Sequence, residues 1–306
     1  MQSRPKILYI CALGRSGSTV LGNLLGELND FCSVGELRRL WENLDHRNPC
    51  GCGAPIGDCP FWTPVLERVR REHPEMTTER VLEIQRRHVS ARPRSRLEAG
   101  RERAEGAAEY ARLIDSIHRA VADQAGARVV VDGSKGPQDA RALAKFTDAE
   151  LYIVHLVRDP RAIVHAWWLR ARKPANHPEM TRRPPRWSVA LWLIRNAFAE
   201  LYFRRGLGNR YMLLRYEDFV ADPAAALAAI CDLLGERRQA ISGLERGAAT
   251  LGVHHTAGGN PFRMKTGPTR IEPREQWRAE LSRARKASVA AATLPLLLRY
   301  RYPLFR

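Results

Sequence analysis

Residues 7–19, Ile-Leu-Tyr-Ile-Cys-Ala-Leu-Gly-Arg-Ser-Gly-Ser-Thr, constrain the fold more than any other stretch of the chain. The apolar run predicts a buried strand, Gly14 to Thr19 a tight loop, and Val20 to Leu25 the body of an amphipathic helix. A turn of this kind aims backbone N–H groups and the positive end of a helix dipole at one point. That point suits a phosphate or a sulfonate. Gly14 and Gly17 let the backbone bend and approach an anion closely. Arg15 adds full charge, and Ser16, Ser18 and Thr19 add hydroxyl donors. The spelling departs from the nucleoside-triphosphate loop G-x-x-x-x-G-K-[ST]. Counting back from Gly17, the first glycine position holds Ala12 and the lysine position holds Ser18. Without that lysine the β- and γ-phosphates lose their main cationic partner. The loop therefore reads as an anion cradle without a triphosphate signature, or as a plain structural turn.

Strands are expected at Lys6–Leu13, Arg128–Val131, Leu151–Val157 and Arg210–Leu214, with helix-length segments between them. Short buried strands alternating with helices predict an α/β fold with a parallel sheet covered on both faces. In such sheets ligands bind beyond the carboxyl ends of the strands. That rule brings Gly14–Thr19, Asp132–Gly136, Arg158–Arg161 and Tyr216–Asp218 together. The whole chain, 1–306, reads as one domain. Its 46–125 section is a cysteine loop followed by a helical insertion, read either as a solvated helix or as an acceptor-binding cap. A Pro- and Arg-rich connection at 170–186 is expected near the site.

The formal net charge of +17 implies acidic partners. It rests on 44 Arg and six Lys spread over the whole chain, a bias that base composition also produces. No zinc-finger spacing, basic coil or aromatic RNA-binding motif supports specific nucleic-acid recognition, and a small polyanion in a basic cleft is the economical reading. A strand within the first ten residues leaves no room for a secretory leader, and Ala287–Leu298 is too short to span a bilayer. A soluble, cytoplasmic, bacterial-type protein is expected. Cys50, Cys52 and Cys59 cluster at C-x-C-x6-C spacing, which is not a standard zinc pattern. His46 is the nearby candidate for a fourth ligand. A structural loop, disulfide-linked or not, is the preferred reading over zinc.

Three further strand ends carry chemistry. Val131-Asp132-Gly133-Ser134-Lys135 resembles the magnesium-holding strand of a nucleotide hydrolase, but the first loop lacks the lysine that goes with it. Lys135 reads instead as a lysine reaching the first loop's anion from another loop, or as a surface turn residue. In Leu156-Val157-Arg158-Asp159-Pro160-Arg161, Asp159 suits a helix cap and Pro160 the first helical turn. Arg158 then stands beside a helix N-terminus, where its fork matches phosphate oxygens. Tyr216, in Arg215-Tyr216-Glu217-Asp218-Phe219, is placed to stack on a base. Gly258 to Gly267 forms a basic loop able to fold over a second phosphate.

This ordered set resembles the sulfotransferases that use 3′-phosphoadenosine 5′-phosphosulfate (PAPS). The likeness runs over residues 6–277, to Trp277, with the 46–125 section outside it except for the Cys-Pro-Phe-Trp turn at 59–62, which recurs in bacterial members. It implies a P-loop-like three-layer fold and in-line transfer of a sulfuryl group from PAPS to a hydroxyl or amine, leaving 3′-phosphoadenosine 5′-phosphate (PAP). Position by position, it implies that Gly14, Arg15, Ser16, Gly17, Ser18 and Thr19 bind the 5′-phosphosulfate and that Arg158 binds the 3′-phosphate. Where the family has a serine eight residues after that arginine, this chain has Ala166, with His165 beside it. Arg263 and Gly267 of the late loop are the implied compensation, and Tyr216 is placed near adenine. Arg15 and Lys135 would stabilise the leaving phosphate without a metal. Glu36, in Ser33-Val34-Gly35-Glu36-Leu37-Arg38, resembles the family's glutamate base. Alternatively, it is a surface carboxylate paired with Arg38 or Arg39. His88 and His118 are other base candidates, while His254 and His255 suit structural roles. Trp167, Trp168, Trp187 and Trp192 suit an aromatic acceptor or the core. The competing functions are a P-loop kinase acting on a small molecule and a non-catalytic polyanion-binding protein.

Overall fold

The computed structural model describes residues 4–89, 99–168 and 184–304. The first half runs β1 (Lys6–Ala12), α1 (Ser18–Gly26), β2 (Phe31–Gly35), α2 (Leu40–Asp45), α3 (Trp62–Glu72), α4 (Thr78–Ile84), α5 (Ala99–Ala125) and β3 (Val129–Lys135). There follow α6 (Pro137–Phe146), β4 (Glu150–Val157), α7 (Pro160–Trp168), α8 (Pro185–Gly206), β5 (Tyr211–Arg215), α9 (Tyr216–Ala221) and α10 (Pro223–Leu234). A hairpin of β6 (Ala248–Leu251) and β7 (Gly267–Arg270) then precedes α11 (Trp277–Glu280), α12 (Arg283–Ala292) and α13 (Leu294–Arg299).

Five strands pair in the order β2-β3-β1-β4-β5, every pair parallel. The three strands expected after the first each start or end within a few residues of the expectation. β2, not among the strands expected, completes the sheet edge beside β3. On β1 the strict alternation of side chains divides the core. Ile7, Tyr9 and Cys11 face a cluster with Trp41, Trp62, Leu113 and Ile117, while Leu8, Ile10 and Ala12 face Leu21, Leu24, Phe219 and Ile230. A central strand buried on both faces has to be apolar at every position, and this one is so after Lys6. The expected three-layer α/β arrangement is therefore present.

The 46–125 section does not behave as one solvated insertion. Val65, Leu66 and Val69 of α3 and Leu113, Ile117 and Val121 of α5 are all buried in the first cluster. The C-terminal half of α5 is thus one of the helices covering the sheet. Its polar stretch from 92 lies partly outside the described residues. The 170–186 connection lies outside them too, apart from 184–186. Among the described residues no helix is long and apolar enough to cross a membrane. The C-terminal residues pack inward as expected: Leu297, Tyr300 and Tyr302 are buried with Leu13, Val157 and Trp192.

α5 is pinned to the sheet by a polar contact. His118 Nε2 lies 3.0 Å from Asp132 Oδ2, both side chains buried, and Asp132 Oδ1 accepts from the backbone N–H of Ser134 at 2.8 Å and from its hydroxyl. The carboxylate that sequence suggests as a magnesium ligand is thus used to hold the end of β3, and His118 is far from serving as an exposed base. Replacing Asp132 by Ala strands three buried partners. Equilibrium urea unfolding of Asp132→Ala is expected to show a loss of about 3 kcal/mol. An unchanged midpoint would refute this anchoring role.

Candidate active site

The strand ends meet as the parallel topology requires, but the sheet is irregular at the decisive place. β1 pairs Tyr9 with Asp132 and then Cys11 with Lys135, and β2 pairs Ser33 with Val131 and then Gly35 with Asp132. Against β1, β3 carries an extra residue around Gly133, and against β3, β2 carries one around Val34; such bulges re-aim the side chains that follow them. Gly35 has φ +66, and a Cβ there would lie 2.5 Å from the Gly258 carbonyl oxygen. The neighbouring segment can approach only because this position is glycine.

At the end of β1, Ser16 and Ser18 are buried and Gly17 precedes α1 with φ +90. No side chain caps α1, and its first turn holds no acidic residue. Its terminal N–H groups are left facing the loop, as an anion site needs. Arg15 adopts φ +76, an uncommon conformation for a residue with a Cβ. Its carbonyl accepts from Arg158 Nη1 at 2.8 Å, and Arg158 Nη2 donates to the Arg274 carbonyl at 2.7 Å. The Arg158 guanidinium also lies 4.2 Å from the centre of the Tyr216 ring. It is buried, its Nε makes no hydrogen bond, and no carboxylate stands within ion-pair distance of it among the described residues. Burial lowers its pKa, which is the signature of an under-compensated cation.

Tyr216 is not open to stack on a base in this structure. Its ring is buried between Arg158 and Gly17, where a Cβ on residue 17 would lie 2.5 Å from Cδ2. The ring instead fixes the bend of the loop. Asp159 caps α7 as expected, accepting from the backbone N–H of Arg161 at 2.9 Å and from its guanidinium. Ala166 follows about two turns later. His165 points to Glu280, with Nε2 2.8 Å from Oε2, and so does not replace the missing serine.

On the other side of the loop, Lys135 Nζ bonds Glu36 Oε1. Lys135 has φ +68, the second candidate cation, after Arg15, in the left-handed region. Arg39 Nε lies 3.4 Å from Glu36 Oε2, while Arg38 turns away to Asp139. Of the two arginine partners suggested by sequence, only Arg39 is therefore a partner. Burial pushes the Glu36 carboxyl up, but Lys135 and Arg39 outweigh it and hold its pKa below the ordinary glutamate value of 4.5. Glu36 is a carboxylate at neutral pH. Ser18, Thr19, Ser33, Glu36, Thr256 and Arg263 line one cleft.

Arg263 belongs to the Glu36 wall of that cleft. Its Nη2 donates to the Pro49 carbonyl at 2.8 Å and its Nη1 to the Thr256 carbonyl at 3.4 Å. The contacts that fix it are not those that fix Arg158. Gly267 opens β7 in the hairpin with φ +77 and lies outside the residues that line the cleft. His254 pairs with Glu27 at 2.8 Å, and His255 faces the cysteines. The side chain of His88 lies outside the described residues. Trp167 and Trp192 are core residues. Sequence reading missed the left-handed backbone at Arg15 and Lys135 and the packing of Tyr216 on Gly17. The Gly-Ser-Lys end of β3 was the available signal for a bulge.

Residues 7–239 match the model of the sulfotransferase family. Among solved structures, the chain is similar to the sulfotransferase domain of the curacin biosynthetic pathway at 18% identity and TM-score 0.54, covering 98% of this chain and 100% of that one. It is also similar to the sulfotransferase domain of the Synechococcus PCC 7002 olefin synthase, at 21% identity and TM-score 0.55, covering 99% and 98%. A third is the sulfotransferase STF9 from Mycobacterium avium, at 13% identity and TM-score 0.52, covering 99% and 79%. At these identities the structures share the fold. No curated protein matches the chain. The family match takes in all five strands of the sheet, the Gly14–Thr19 loop, Glu36, Lys135 and Arg158, and the chain belongs to the sulfotransferase family.

Proposed function

We propose that this sulfotransferase moves a sulfuryl group from PAPS to an acceptor hydroxyl or amine, leaving PAP. The observation that carries this reading is a single cleft holding Ser18 and Thr19 of the anion loop together with Glu36, itself paired with Lys135. A cradle for the donor and a carboxylate for the acceptor stand side by side.

The residues present fit the donor's two charged ends. The uncapped start of α1 and the hydroxyls of Ser16, Ser18 and Thr19 suit the 5′-phosphosulfate. The buried Arg158, with a free Nε and no carboxylate, suits the 3′-phosphate. PAPS supplies a sulfuryl group on a good phosphate leaving group. Glu36 takes the acceptor proton as the bond from acceptor oxygen or nitrogen to sulfur forms and the bond from sulfur to the phosphate oxygen breaks. Lys135 and Arg15 meet the negative charge that collects on the departing phosphate. When Lys135 turns from Glu36 toward that charge, the ion pair that depresses the carboxyl weakens and Glu36 becomes the stronger base. These cations take the role that a divalent ion has in triphosphate chemistry, so transfer is expected without added magnesium. Residues 46–62 and the adjoining helices then form the acceptor side of one catalytic domain.

Calorimetric titration tests the donor. PAP is expected to bind without metal and with modest salt dependence. Equal or tighter binding of Mg-ATP would favour a kinase. Binding to a DNA duplex alone, with a steep salt slope, would favour a polyanion-binding protein. Arg158→Ala is expected to weaken PAP binding by about 10- to 100-fold, the loss of one or two charge-assisted hydrogen bonds.

Turnover tests the base. Glu36→Gln is expected to lower kcat by about 10²- to 10⁴-fold while leaving PAP affinity unchanged. A fully active Gln variant would remove Glu36 from the mechanism.

The pH profile tests the ion pair. Because Glu36 is held below 4.5, the acidic limb of kcat/KM should lie below that pH in the wild type. Lys135→Ala removes a lowering influence and leaves burial acting, so its acidic limb should move to higher pH. A limb that stays in place would show that Lys135 does not control the base.

A further inference from the structure

We propose that Cys50, Cys52, Cys59 and His255 hold one structural zinc ion beside the cleft, on the wall that carries Glu36. The four ligand atoms, three Sγ and the His255 Nδ1, lie within 4.8 Å of one another. Cys59 Sγ is 3.6 Å from Cys50 Sγ and 3.7 Å from Cys52 Sγ. His255 Nδ1 is 3.3 Å from Cys59 Sγ and 3.9 Å from Cys50 Sγ. Tetrahedral zinc with ordinary Zn–S and Zn–N lengths gives ligand–ligand edges of roughly 3.5–3.8 Å. A disulfide would need sulfurs at about 2.05 Å and would use two of the three thiols. All six cysteines are free, so the disulfide that sequence reading allowed is not formed.

The fourth ligand is also corrected. His46 is exposed and pairs with Asp45, whereas His255 arrives from a segment 196 residues beyond Cys59. The spacing C-x-C-x6-C looked irregular because one ligand is remote in sequence. A set of three thiolates and one imidazole selects zinc over the oxygen-seeking magnesium or calcium.

The surroundings are built to hold this set. Phe61 stacks on the His255 ring, with centroids 5.0 Å apart and planes 9° from parallel, and Trp62 Nε1 donates to the His255 carbonyl at 2.9 Å. The Cys-Pro-Phe-Trp turn thus supplies one ligand and two supports for another, the outer shell that ligand histidines require. The backbone N–H of Cys52 faces the Cys50 thiol, and that of Ala54 faces the Cys52 thiol. Gly51 admits no side chain, since a Cβ would lie 2.1 Å from the His254 carbonyl oxygen.

The position gives the metal a purpose. The Thr256 carbonyl accepts from Gly51 N–H at 3.1 Å, Ala257 N–H donates to Val34 at 2.8 Å, and the Gly258 carbonyl accepts from Glu36 N–H at 3.0 Å. A zinc ion on His255 therefore fastens the cysteine loop to the strand of peptide that fixes Glu36, without touching the reacting groups.

The tag-free full-length chain, purified without chelator, is expected to contain about one zinc per chain by mass spectrometry of the metal. Replacing it with Co²⁺ should give thiolate charge-transfer and intense tetrahedral ligand-field bands. His255→Ala and Cys52→Ser should lose the metal or bind it far more weakly, and His255→Cys, which keeps four ligands, should retain it. Chelation should lower the thermal midpoint by about 5 °C or more, as loss of a ligand bound only by the folded state requires. A chain that takes up no zinc under reducing conditions overturns the proposal. So does a denatured chain with two fewer free thiols than its six cysteines, and so does full zinc retention in His255→Ala.

Discussion

The parallel pairing of β1 with β3 and β4 is the constraint on which the site depends. It sets Cys11 opposite Lys135 and Ala12 opposite Leu156, so that three chain segments leave the sheet side by side. From that edge the anion loop, Lys135 and Arg158 need only a few residues to converge. The register shifts twice, at Gly133 of β3 against β1 and at Val34 of β2 against β3, and beyond these shifts Lys135 bonds Glu36. Arg15 and Lys135, with φ of +76 and +68, sit at the ends of the two central strands. Positive φ at a residue with a Cβ costs of order 1–3 kcal/mol and persists where the surroundings over-determine it. Here the surroundings are the sheet itself and the Arg158 bond to the Arg15 carbonyl.

What was legible in the sequence follows from locality. Ile7 to Ala12 announce a buried strand because each residue is apolar, and Asp159-Pro160 announce a helix start because cap and proline are adjacent. β2 was harder, since Phe31-Cys32-Ser33-Val34-Gly35 is five residues with only a weak apolar pattern, and its place depends on β3. One partner of Glu36, and the choice between its two arginine candidates, were beyond reach for the same reason. Lys135 lies 99 residues away, and the choice between Arg38 and Arg39 is decided by Asp139 taking Arg38. α5 misled because its polar first half conceals an apolar stripe, Leu113, Ile117 and Val121, in the second. His255 could be joined to the cysteines only by the three-dimensional path.

The excess of arginine acquires meaning only when each buried guanidinium is assigned its partners. Arg161 is satisfied by Asp159 and by the Pro303 and Leu304 carbonyls, and Arg38 by Asp139. Those two are structural. Arg158 differs from those two, because among the described residues its Nη donors meet only carbonyl oxygens and its Nε makes no hydrogen bond. A buried cation of that sort is costly unless an anion joins it. Net charge of +17 does not identify a ligand, whereas one buried arginine without a carboxylate points to an anionic one.

The two walls of the cleft are held by different physics. The wall proposed for the donor is made of strand ends and a helix terminus, so its geometry is inherited from the sheet. The acceptor wall has no such backing. Glu36 follows the last residue of an edge strand, and its backbone is fixed by Gly258, whose segment is held in turn by Asn43 on the Ala257 carbonyl at 2.7 Å and by Trp62 on the His255 carbonyl. An irregular segment with so few backbone bonds has little stability of its own. The proposed cross-link at His255 would add a restraint three residues from Gly258, on the side of the cysteine loop. In the proposed reading a metal far from the sulfur chemistry would thus bear on Glu36, by giving the acceptor wall the rigidity that the parallel sheet already gives the other.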